Sequence, residues 1–108
     1  MNKEEFAEIL IKKFPEYSTV FDNHLRDYGK LLGHVFFGDV IDRQLFRLLK
    51  NDGDEYRIKT LLDFINDLYL LGDDECKNIV IVTILEYLGD DKEVLNNVYQ
   101  YLEWNLIE

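Results

Sequence analysis

Signals that end a helix fall along this chain at intervals about one helix long: Pro15, Gly29, Asn51-Asp52-Gly53, Gly72 and Gly89. Two of them sit in the same step, Leu71-Gly72-Asp73-Asp74 and again Leu88-Gly89-Asp90-Asp91. A glycine closes one helix there, and an aspartate accepts the free N–H groups of the next. Between these stops the apolar residues recur every three or four positions, the period of one helix face.

Asn2 with Glu5 has the spacing of a capping box, and Phe6, Ile9, Leu10 and Phe14 follow as a stripe. Pro15 ends that helix, because the residue before a proline is pushed out of the α region, and it can open the next. Val20, Phe21, Leu25 and Tyr28 give the second helix its apolar side, with Gly29 as cap. Residues 30–38 (KLLGHVFFG) read as a short helix or an irregular buried turn. Asp39 is expected to cap a helix carrying Val40, Ile41, Leu45, Leu48 and Leu49. Asp54 opens another with Ile58, Leu61, Leu62, Ile65, Leu68 and Tyr69. Asp73 opens a helix ending at Leu88. Asp90, with Glu93 three residues on, opens the last, whose stripe is Val94, Leu95, Val98, Tyr99 and Leu102.

Residues 78–85 (NIVIVTIL) are β-branched enough for a strand, and over so short a run a buried strand and a buried helix look alike. The capped, helix-length frame of 73–88 favours a helix, and one that is apolar nearly all round belongs at the centre of a bundle. The expected fold is therefore all-α: a single domain over 1–108, one antiparallel bundle of about five or six helices. The recurring Leu-Gly-Asp-Asp step allows repeat-like stacking at the C-terminal end. The alternative is an α+β fold with 79–85 as a strand.

The net charge is −10, and all of it belongs to the second half. Residues 1–50 carry eight basic and eight acidic side chains; residues 51–108 carry four basic and fourteen acidic. Such a surface disfavours nucleic acid and anionic membrane, both of which are bound through Lys and Arg. It attracts a basic protein and speeds its arrival, although negative charge also serves plain solubility. No apolar run is long enough to span a bilayer, and residues 1–14 lack the pattern of a signal peptide, so the expected location is the cytoplasm. The lone cysteine, Cys76, fits a reducing compartment and reads as a small buried hydrophobe.

Catalytic, metal and cofactor motifs are missing from the sequence, so no cofactor is expected. His24 and His34 do not have metal-ligand spacing; His24 is expected beside the stripe of its helix, partly exposed, and His34 near the Gly33 turn. A calcium loop centred on Gly53 fails because Leu48 and Lys50 fall at ligand positions. Asp73-Asp74-Glu75 and Asp90-Asp91 are explained as helix starts, where the dipole favours acid. Asp63 and Asp67 lie four apart on the polar side of one helix, a repulsive spacing that hints at a basic group meeting that face. Tyr101 and Trp104, near Glu103, form either an acidic-aromatic anchor for a partner or a lid on the open end of the bundle.

In size, acidity and helix content the whole chain resembles the small acidic helical proteins that bacteria encode beside secreted or contact-dependent toxins, as immunity proteins. That resemblance implies a stoichiometric inhibitor covering a basic cleft. The first expectation is thus a non-enzymatic protein-binding module for a basic partner, using Asp63, Asp67, Asp73, Asp74, Glu86, Tyr101, Glu103 and Trp104. Two alternatives stand beside it. One is a homodimeric regulatory or scaffold protein joined through apolar surface around residues 31–37. The other is an enzyme without a known motif, which would need a polar pocket holding His24 or His34 beside carboxylates.

Overall fold

A computed structural model describes residues 1–50, 54–85 and 90–93. The fold is all-α, with no strand among the described residues. Among the described residues the α-helical segments are α1 (Lys3–Lys13), α2 (Ser18–Tyr28), α3 (Gly33–Phe37), α4 (Arg43–Lys50), α5 (Glu55–Leu71) and α6 (Asp74–Asn78). A 3₁₀ turn, Pro15–Tyr17, joins α1 to α2. Two stretches of the wider π-helix, Gly38–Asp42 and Ile79–Leu85, continue α3 and α6.

Local chemistry sets most boundaries. The Asn2 side chain accepts the Glu5 N–H at 2.9 Å, and the Asn2 N–H donates to the Glu5 carboxylate at 3.1 Å, completing the expected capping box. Asp54 and Asp73 cap α5 and α6 by accepting the N–H groups of Arg57 and Cys76. Gly29 adopts φ 75° and closes α2, its N–H reaching the Leu25 carbonyl. Lys77 donates to the carbonyls of Tyr69 and Gly72, satisfying the end of α5 from the following helix.

The core is built around α5, whose Ile58, Leu61, Leu62, Phe64, Ile65 and Leu68 are all buried. Phe6 and Leu10 from α1, Phe36 and Phe37 from α3, and Ile41 and Leu45 meet them, with the ring of Phe64 edge-on to Phe6 at 6.0 Å. The N-terminus is pinned to the α5–α6 turn. Met1 donates to the Leu71 carbonyl and accepts the Asp73 N–H, while Lys3 pairs with Glu75 at 2.8 Å.

Several sequence expectations need correction. Asp39 does not open a helix: Gly38 and Arg43 both hold right-handed helical dihedrals, so 33–50 is one continuous helix with a π stretch inside it. Gly38 lies at a close approach to Thr83 and does not break the helix. The strand alternative for 79–85 is overturned, and the expectation of a helix there holds. It is not encased, however. Ile79 and Val80 are buried, while Ile81 and Val82 are 49% and 46% exposed, because successive residues of a helix point to different sides. Val20 and Tyr28 are likewise exposed, since α2 lies at the periphery and sends only His24 fully inward. At the second Leu-Gly-Asp-Asp step it is Asp91, not Asp90, whose side chain accepts the Glu93 N–H. The last expected helix, and with it any repeat-like stacking, lies outside the described residues.

Candidate functional site

The π stretch Gly38–Asp42 builds the most chemically distinctive place among the described residues. Positions 34, 35, 38, 39, 42 and 43 share one side of the continuous helix, following the spacing i, i+1, i+4, i+5. Their residues, His34, Val35, Gly38, Asp39, Asp42 and Arg43, line a cleft of about 380 Å³. Helical widening of this kind is uncommon and recurs at functional sites.

The second π stretch, Ile79–Leu85, packs alongside. Two glycines allow the approach. A Cβ on Gly33 would fall 2.5 Å from Cδ1 of Ile79, and one on Gly38 would fall 3.3 Å from Cγ2 of Thr83. Thr83 also hydrogen-bonds Nδ1 of His34, which fixes the imidazole at the mouth of the cleft.

Asp42 is the unusual member. Its residue is only 3% exposed, and its Oδ1 is fully buried without a hydrogen-bond partner among the described residues. Burial raises its pKa to about 8, and the charge of Asp39 adds to the effect. Near neutral pH this carboxyl therefore keeps its proton. Its other oxygen lies 3.8 Å from where a Gly38 Cβ would stand, so glycine keeps that wall open. Asp39 and Arg43 sit at the rim, 3.8 Å apart and both well exposed. The set offers a buried proton donor or latent anion, a rim carboxylate, an imidazole and an exposed guanidinium. Among the described residues no three His, Cys, Asp or Glu side chains converge to hold a metal ion.

This is the juxtaposition of histidine and carboxylates that the enzyme alternative demanded, and it involves His34 alone. His24 is buried, a correction to its expected partial exposure: Nε2 accepts the Leu32 N–H at 2.9 Å, and the ring packs on Tyr28 and Phe36. Cys76 is buried as expected, its thiol pushed up to about 11 by burial, which removes it as a nucleophile. Of the apolar residues within 31–37 named for the dimer alternative, Leu31, Phe36 and Phe37 are buried in the core, while Leu32 and Val35 are half-buried.

The residues expected to bind a partner are dispersed differently. Asp63 and Asp67 are exposed one turn apart on the outer side of α5. Asp73 and Asp74 follow at the start of α6, with Leu70 and Leu71 exposed between the two pairs. Asp73 has its carboxyl held low by the hydrogen bond from the Cys76 backbone, which marks it as a cap. Glu86, Tyr101, Glu103 and Trp104 lie outside the described residues. Sequence reasoning missed Asp42. The available signal was its place between Ile41 and Leu45 in an apolar stripe, eight residues after His34.

No helix among the described residues is long and apolar enough to cross a membrane. Neither a curated protein nor a solved structure matches the chain. Residues 7–107, which include every residue lining the cleft, match a family model, and the chain belongs to the family described as Domain of unknown function (DUF7674).

Proposed function

We propose that this protein is a non-enzymatic binding module that meets a basic protein partner through the outer side of α5 and the start of α6, in the manner of an immunity-type inhibitor. One observation carries the reading: an exposed acidic pair, Asp63 and Asp67, is followed by exposed Leu70 and Leu71 and then by exposed Asp73 and Asp74. Like charges four apart on a helix cost a few tenths of a kcal/mol. None of Asp63, Asp67 and Asp74 is engaged in an ion pair among the described residues, so nothing there offsets that cost. Apolar side chains flanked by unpaired acids suit a surface that steers a cationic partner by charge and holds it by burial.

The test is association with the product of the adjacent reading frame, followed by stopped flow at rising salt. The wild-type rate should fall steeply as salt screens charges over about 8–10 Å. The double variant Asp63→Lys, Asp67→Lys should associate more slowly and with a flatter salt dependence. A wild-type rate that ignores salt, or charge-reversed variants that associate as fast, would remove the basis for this reading.

A further inference from the structure

We propose that the cleft beside the π stretch Gly38–Asp42 is a binding site for a single cationic group, an alkylammonium or a guanidinium, held between Asp42 and Asp39. The site is separate from the α5 face and does not depend on its role.

Three observations converge on a cation. Asp42, only 3% exposed, is among the residues that line the cleft, and its buried Oδ1 behind that lining takes no hydrogen bond among the described residues. A buried polar atom left unpaired is costly, and native structures rarely keep one without a use. Gly38 borders the other oxygen without a side chain of its own, and a cleft of about 380 Å³ has room for a group the size of a side-chain terminus. Asp39 stands at the rim as a second, exposed carboxylate. An anion would meet the negative charge of Asp39 at the rim. A neutral donor could hydrogen-bond both groups but would gain no charge pairing. A cation gains hydrogen bonds and charge pairing together.

Among the described residues, few other polar groups line the cleft with Asp42. On its own continuous helix they are His34, Asp39 and Arg43; the opposing stretch Ile79–Leu85 contributes the uncharged Thr83. Arg43 is the competitor. Its guanidinium pairs with Asp39 at 3.8 Å, a long ion pair with the Arg43 side chain 72% exposed. An arriving cation must displace it from the rim. Because the empty site favours a protonated Asp42, binding a cation expels that proton to solvent, and affinity rises with pH up to the range in which Asp42 ionises.

The experiment follows the Asp42 carboxyl carbon by NMR across pH, alone and with methylguanidinium, with n-butylammonium, and with a short capped peptide carrying one arginine. Sodium chloride at matched ionic strength is the control. The expected result is a titration midpoint that moves down by about one pH unit when the cation is present at ten times its Kd. Asp42→Asn should abolish binding, Asp39→Asn should weaken it, Arg43→Gln should tighten it several-fold, and Glu8→Gln, on the exposed side of α1, should leave it unchanged. Preference for the peptide over the free cations would point to a protein side chain as the ligand; the reverse would point to a small amine. The proposal fails if the midpoint ignores the cations, or if Asp42→Asn binds them equally well. It also fails if wild-type Asp42 titrates in the ordinary carboxylate range and rises only in Arg43→Gln, for Arg43 would then be the resident counter-ion. The midpoint and the Arg43 variant decide the matter even if Asp42→Asn does not fold.

Discussion

Thr83 faces Gly38 across the closest approach of the two π stretches, its methyl 3.3 Å from where a Cβ on that glycine would sit, while its hydroxyl bonds His34. Gly38 has helical dihedrals, so replacing it with alanine should favour the helix by about 0.5–1 kcal/mol. The Thr83 methyl opposes that gain. Gly38→Ala is therefore expected to be more stabilising in a Thr83→Ser background, which removes the methyl and keeps the hydroxyl. Urea denaturation of the four proteins in the cycle checks it; strict additivity would mean that the two residues do not press on each other.

Asp42 should give the protein a distinctive pH profile. Its folded pKa, about 8, stands above the ordinary value of 3.8. The folded state thus holds the proton more tightly than the unfolded chain. The contribution is complete below pH 4, declines by at most about 1.4 kcal/mol per pH unit above that, and is lost once pH passes the folded pKa. Asp42→Asn should remove this slope and be more stable than wild type at pH 9. Chemical denaturation from pH 5 to 9 measures the difference between the two curves; parallel curves would contradict it.

Arg57 ties the start of α5 to the turn after α1. It donates to Glu16 at 2.8 Å and to Tyr17 at 2.9 Å, and lies over the Phe14 ring at 4.5 Å. Arg57→Ala is expected to cost about 2 kcal/mol. Glu16 is half exposed, so its coupling to Arg57 in a double-mutant cycle should stay below about 1 kcal/mol. Coupling to Tyr17, which is buried, should be the larger of the two. The Arg57 hydrogen bond holds the Glu16 carboxyl low, so whatever Glu16 contributes is present at neutral pH and lost as pH falls through that lowered value.

Gly72 is a packing requirement at the α5–α6 turn. A Cβ there would overlap the Leu68 carbonyl oxygen and Cβ of Cys76. Neither can retreat without moving backbone, so Gly72→Ala should destabilise by about 1–3 kcal/mol or more. Thermal unfolding measures this, and an unchanged Tm would show that the turn can open.

The sequence alone determined the all-α class, the cap residues Asn2, Asp54 and Asp73, the Gly29 stop, the α5 stripe and the burial of Cys76. These are matters of neighbouring residues and of one helix period, and both are written along the chain. Tertiary structure decided what Asp39 and Asp42 became. Gly38 and Asp39 carry the local marks of a stop and a cap, yet packing against Ile79 and Thr83 was better served by a helix running through them, widened by its π stretch. That continuity placed Asp42 inside a cleft with His34 and Arg43. Its place in the apolar stripe marked it locally among the twenty-two acidic residues, but its pairing with a cleft comes from contacts between segments some forty residues apart.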